Sequence, residues 1–132
     1  MGVLRELTVD ECVDLLAANL VGRAAICTPT GPYVVPVNYA VQGDDSLVFR
    51  TTPYSVLGTY SWAGEIAFEV DHIDPEKQLG WSVLAIGRGE MVENIEEIEQ
   101  IRWAHEPHPW AAGMRPLYVR LRWREVTGRR IS

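Results

Sequence analysis

Residues 46–57 read SLVFRTTPYSVL and place an arginine and three hydroxyls, Arg50, Thr51, Thr52 and Ser55, where a strand runs into a turn. An arginine that follows Val48 and Phe49 either snorkels to solvent or meets an anion, because an unpaired buried charge is costly. Thr51, Thr52 and Ser55, with the backbone N–H groups at Tyr54 to Leu57, supply the short donors that phosphate oxygens accept. The same hydroxyls are also ordinary helix caps.

A second feature is Pro36 inside YVVPVNY. Proline removes a ladder donor, so this part of the strand lies at an edge, a bulge or an opening. At an opening, Val37 and Asn38 would offer backbone N–H groups, and Asn38 its amide, to the edge of a flat heteroaromatic ligand. Trp110 lies in PHPWAAGMRP, a loop rich in proline and glycine, where an aromatic ring must pack on something outside its own element. Trp62, Trp103 and Trp123 are read as core or interface residues.

Other chemistries find little support. HEPHP brings His105 and His108 close in sequence, but the prolines exclude the helical spacing that makes paired histidines converge, so no metal site is expected. There is no Gly-x-Ser-x-Gly elbow, P-loop or dinucleotide fingerprint. Cys12 and Cys27 lack the spacing of a redox or metal pair and are expected to be buried thiols.

Those residues need a scaffold. The chain has 132 residues, 23% charged and 47% hydrophobic, which suits one domain over residues 1–132. No apolar run is long enough to cross a bilayer, and MGVLRELTVDE turns acidic where a signal peptide would be apolar, so no membrane association and a cytoplasmic location are expected. The net charge is −6, yet residues 107–132 carry six basic side chains and one acidic. That end reads as locally positive, although a globally acidic chain repels nucleic acid, and none is expected as a partner.

Thr8 and Glu11 form a Thr-x-x-Glu capping box that opens a helix, with Val9, Cys12, Val13, Leu16 and Leu20 on one side, ending at Gly22. RAAICT, YVVPVNYAV, SLVFRT, EIAFEVD, GWSVLAIGRGEMV and LYVRLRWREV read as six strands. HIDPEKQ reads as a loop, YSVLGTYSW as a possible short helical turn, and Asn94 as the cap of an acidic helix running to about His105. The strands follow one another too closely for parallel crossovers. Gly87 and Gly89 mark a bulge or bend where a sheet would curl. The expectation is a mainly β fold: a small antiparallel barrel of six strands with flanking helices.

The stretches GRAAICTPTGPYVVPVNYAVQGDDSLVFRTTP, IAFEVDHIDPEKQLGWSVLAIGRGEMV and PWAAGMRPLYVRLRWREVTGRRI resemble the pyridoxamine 5′-phosphate oxidase-like flavin proteins, in the branch that includes nitroimidazole reductase-like sequences. The resemblance covers roughly residues 20–131. It implies an FMN-binding split β-barrel, a homodimer with FMN in a groove between subunits, and an oxidoreductase acting on a small-molecule substrate. It puts Pro36, Val37 and Asn38 beside the flavin ring, and Arg50, Thr51 and Thr52 along the ring edge, ribityl chain and phosphate. Ser55 falls at the phosphate end, Trp81 and Ser82 face the cofactor from a neighbouring strand, and Trp110 reaches it from the partner chain. Catalytic side chains stay unassigned.

One position departs from the pattern. Relatives carry a lysine at the phosphate where this chain has Val56, and a lost charge-assisted hydrogen bond of about 1.5 to 3 kcal/mol would weaken FMN roughly ten- to a hundredfold. Arg115, Arg122, Arg129 and Arg130 are candidates to compensate. The departure leaves a second class open: a non-catalytic protein that binds or senses a flavin, a deazaflavin coenzyme or haem on the same fold.

Overall fold

The structure is a computed structural model, and it describes residues 2–62, 64–104, 107–110 and 113–132. Its elements are β1 (Leu4–Glu6), α1 (Val9–Ala17), β2 (Val21–Thr28), β3 (Gly31–Gln42), β4 (Ser46–Thr51), α2 (Val56–Tyr60), β5 (Glu65–Asp74), β6 (Leu79–Val92), α3 (Ile95–Ala104) and β7 (Leu117–Ile131). The sheet order is β1-β7-β4-β3-β2-β5-β6, every pairing is antiparallel, and β6 pairs back onto β7. Six strands therefore close on themselves, as expected, and β1 extends the sheet beside the end of β7.

Strand alternation fills the interior. Leu47 and Phe49 on β4, Ile66, Phe68 and Val70 on β5, Val83 and Ala85 on β6, and Leu117, Val119 and Leu121 on β7 all point into one core. The Phe49 and Phe68 rings stack with centroids 6.3 Å apart, and burying an aromatic of this size contributes about 2 to 3 kcal/mol. α1 adds Cys12 and Leu16 to this core. On α3, Ile101 packs outside the barrel against Val48, Val92 and Tyr118.

Curvature comes from glycine. The β6–β7 register shifts between Ile86 and Gly87, and a Cβ at Gly87 would lie 2.1 Å from the Arg122 carbonyl oxygen, one at Gly89 1.8 Å from that of Ser61. Only glycine lets backbone approach that closely.

Several local expectations change. β1 is a seventh strand: its residues are exposed and carry no alternation, and it exists because Leu4 to Glu6 find partners at Ile131 to Arg129, bringing β7 to Ile131 as well. β5 extends through His72, Ile73 and Asp74, the first three residues of HIDPEKQ, and pairs Asp74 with Leu79 of β6, so the turn is confined to residues 75–78. α1 ends at Ala17 because β2 already begins at Val21, which leaves Leu20 67% exposed, while Val9 on the first turn is 58% exposed. Cys12 is buried, but Cys27 faces outward on β2 and is exposed. Trp103 is 90% exposed. His105, at the expected end of α3, lies outside the described residues, as does Glu106.

The arginines of β7 do not form a uniformly basic face. Arg120 pairs with Glu90 and Glu97, Arg122 with Asp45, and Arg124 with Glu65. Charge that is segregated along the chain is brought together across strands.

Candidate functional site

β3 changes partner part-way along its length. Residues from Gly31 to Asn38 register against β2, but the β3–β4 ladder runs only from Gln42 with Ser46 to Tyr39 with Phe49. β4 continues to Arg50 and Thr51 against Tyr118 and Leu117 of β7. Past Tyr39 and Phe49 the barrel wall is split. Pro36, with no N–H to donate, lies on the unladdered lip, where its cost to a sheet is smallest.

A cleft of about 220 Å3 occupies the split. One lip carries Val35, Pro36, Val37 and Asn38; the other carries Arg50, Thr51, Ser55 and Val56, and Pro109 and Arg115 add a wall. Six of the ten residues singled out from sequence, Pro36, Val37, Asn38, Arg50, Thr51 and Ser55, thus meet at one place.

Arg50 is half-buried. Its Nε donates to the Arg115 carbonyl at 3.0 Å, and its guanidinium carbon stands 5.0 Å from the centroid of the Tyr118 ring. A cation held over an aromatic face retains its charge while losing part of its water shell, which suits it to meet an anion.

Ser55 caps α2: its hydroxyl accepts the Gly58 N–H at 2.9 Å and donates to the Thr52 carbonyl at 2.8 Å. Thr51 Oγ1 lies 2.7 Å from Ser55 Oγ. With the single Ser55 proton directed to Thr52, Thr51 is the donor of that pair. The capping role therefore engages Ser55 fully, and the hydroxyls present to the cleft as a linked pair. Thr52 supplies its carbonyl to this turn and is not among the residues lining the cleft.

Asn38 has a fixed amide. Its Oδ1 accepts the Trp110 backbone N–H at 2.9 Å. A backbone N–H can only donate, so the amide orientation follows, with Nδ2 turned away from Trp110 as a remaining donor. The resemblance implies Trp110 reaching from a partner chain; here its backbone is tied to Asn38 of its own chain, and the residue is 74% exposed.

Beside the cleft lies a second cavity of about 470 Å3, lined by Arg50, Arg102, Arg115 and Tyr118 together with Ile98, Pro109 and Met114. Arg50, Pro109 and Arg115 border both spaces. Of the arginines considered as substitutes for the missing lysine, Arg115 is the one at the cleft. Arg122 is engaged with Asp45 and Arg129 lines cavities near β1.

Arg102, which reads from sequence as part of an acidic helix, is brought to the cleft's neighbour by the packing of α3. Pro109 and Arg102 carried no signal of their own, since each sits far from the FRTTP stretch along the chain, and Arg115 was one of four arginines between which the sequence could not choose.

Trp81 and Ser82 line a different cavity, with Leu4, Ile73 and Ile131, because β6 neighbours β5 and β7 rather than β3 or β4. Among the described residues no three His, Cys, Asp or Glu side chains group to hold a metal, and His105 of the HEPHP pair lies outside them. No helix among the described residues is long and apolar enough to cross a membrane.

The sequence profile described as pyridoxamine 5′-phosphate oxidase matches residues 8–130. An uncharacterized protein of Mycobacterium tuberculosis is 30% identical over 131 residues, covering 96% of this chain and 84% of that one. Among solved structures, an FAD binding protein from Mycobacterium smegmatis superposes with a TM-score of 0.78 at 26% identity, over 95% of this chain and 96% of its own. An FAD-binding protein from Mesorhizobium loti gives 0.75 at 25% identity, over 100% and 99%.

Proposed function

Given that the chain belongs to the pyridoxamine 5′-phosphate oxidase family, we propose that it is an FMN-dependent oxidoreductase that holds the flavin in the split between β3 and β4. The observation that carries this reading is the meeting of an unladdered lip, Pro36 to Asn38, with a cationic and hydroxylic lip, Arg50 to Ser55, across one cleft. A flat ring needs the first and an anionic tail needs the second. Two relatives at 25% identity or above are FAD-binding proteins, which agrees with a flavin in the cleft.

The residues fit such a ligand. The Asn38 Nδ2, its orientation held by Trp110, would be available to donate to a ring-edge acceptor. The Arg50 guanidinium would be the charged donor to the tail, since the Thr51 and Ser55 protons are engaged with each other and with the Thr52 carbonyl, and Arg115, which lines the same cleft as Val56, would restore a cation there. A bound flavin supplies the hydride or electron transfer; the chain supplies orientation and electrostatics. No side-chain acid or base is assigned.

The cleft is smaller than the roughly 300 to 1,000 Å3 usual for ligand sites. The adjoining arginine-lined cavity and a second copy of the chain would complete it. Tyr33 and Val34 beside the lip, with Met114, are exposed apolar side chains that a homodimer would cover.

Titration of the purified protein with FMN, followed by anaerobic addition of NADPH or NADH, tests the reading. Saturable FMN binding with bleaching of the visible band supports the enzyme. FMN binding with no bleaching by any reductant or turnover of any acceptor favours the binding or sensing alternative, which Val56 keeps open. A protein that binds no FMN, FAD or deazaflavin coenzyme at tens of micromolar defeats both.

A further inference from the structure

On the far side of Asn38 a third cavity, of about 450 Å3, is bordered by Leu20 after α1, Asn38 and Ala40 on β3, and His108 and Trp110 of the loop before β7. It shares Asn38 with the cleft in the split. Its chemistry is the opposite of the arginine-lined space: no Asp, Glu, Lys or Arg is among its described lining residues.

Two of its walls are apolar surface left in water, Trp110 at 74% and Leu20 at 67% exposure. An exposed indole beside an aliphatic side chain offers a flat ring both stacking and apolar cover. The polar element is fixed in place. The Trp110 N–H occupies Asn38 Oδ1, so the Asn38 amide has its NH2 group left to donate. A negatively charged ring would find no Lys or Arg here and would lose water, whereas a neutral acceptor loses little.

We propose that this cavity binds a neutral, planar one- or two-ring heteroaromatic compound, stacked on Trp110 and accepting a hydrogen bond from the Asn38 amide. Its identification as the substrate of the flavin site rests on the function proposed above, because Asn38 then touches both ligands. The binding itself does not depend on that reading.

Quinoxaline is a suitable neutral probe, and quinoxaline-2-carboxylate is its anionic counterpart. Equilibrium dialysis against the full chain, with and without FMN, measures both. Quinoxaline is expected to bind one per chain and about tenfold more tightly than the carboxylate. Trp110→Ala should weaken it about tenfold. Asn38→Asp keeps an acceptor for the Trp110 N–H but removes the donor, and should weaken it comparably. Should that variant fail to fold, Leu20→Asp places a charge in the wall at an exposed position and should do the same.

Quinoxaline binding that is unchanged in Trp110→Ala, equal binding of the carboxylate, or no binding of quinoxaline at millimolar concentration overturns the proposal. Failure of FMN to bind while quinoxaline still does so in a Trp110-dependent way would defeat the flavin reading and leave this cavity assigned.

Discussion

Thr51 Oγ1 and Ser55 Oγ lie 2.7 Å apart, joining the last residue of β4 to the cap of α2. Through this contact the hydroxyls of the cleft lip also hold the turn that shapes it. Ser55→Ala should cost about 1 kcal/mol of stability through loss of the cap. Thr51→Val alone should cost less, and the double variant less than the sum, because both remove one shared bond. Urea unfolding of the three proteins checks this; additive losses would show the two hydroxyls to be independent.

Val56 lines the cleft where relatives are expected to carry a lysine. Val56→Lys should raise FMN affinity by roughly ten- to a hundredfold, the worth of one charge-assisted hydrogen bond. Fluorescence titration reads it directly. An unchanged affinity would mean that Arg115 already neutralises the tail, or that the tail lies elsewhere, and Arg115→Ala separates these outcomes.

Arg50→Ala should weaken FMN binding more than Arg102→Ala, since Arg50 borders both the cleft and its neighbouring cavity while Arg102 borders only the latter. Arg88, exposed on β6, is the reference that should leave affinity within about twofold. Equal losses at Arg50 and Arg88 would remove the phosphate assignment.

Glu11 closes the capping box of α1. Its carboxylate accepts from Arg5 and from the Thr8 N–H, and these bonds, the Arg5 one foremost, lower its pKa to about 2. A folded pKa below the unfolded value of about 4.3 contributes stability that is fully present above that value and lost as pH falls through about 2. Wild type should therefore exceed Glu11→Gln in stability at pH 7, with the gap constant down to about pH 5 and closing toward about pH 2. A gap that widens in acid would contradict the linkage.

Gly89 and Gly64 separate close approach from open space. A Cβ at Gly89 would stand 1.8 Å from the Ser61 carbonyl oxygen, while none of the surroundings of Gly64 comes within 4 Å. Gly89→Ala should lose about 3 kcal/mol or fail to fold, and Gly64→Ala should lie within about 0.5 kcal/mol of wild type. Thermal and urea midpoints distinguish them.

Much of the barrel was legible because strand periodicity is a local property. Ile66, Phe68 and Val70 alternate, and so do Leu117, Val119 and Leu121, and each set points into the core. The capping box at Thr8 and the bulge at Gly87 were equally visible, since each is decided within a few residues. β1 was not, because three exposed residues become a strand only when the end of β7 arrives beside them.

The cleft divides along the same line. By itself the chain determined that Pro36 breaks a ladder, that Arg50 and its hydroxyls need polar company, and that Val56 replaces a charge, because these follow from the covalent chemistry of single residues. Tertiary structure decided that the ladder fails on the β4 side, that Arg115 and Arg102 join Arg50, and that Trp110 fixes the Asn38 amide across the barrel mouth. It also decided that the arginines of β7 face acids on other strands. Those outcomes depend on which distant backbones come within about 3 Å of one another, the range over which hydrogen bonds act, and no pattern along the chain encodes that distance directly.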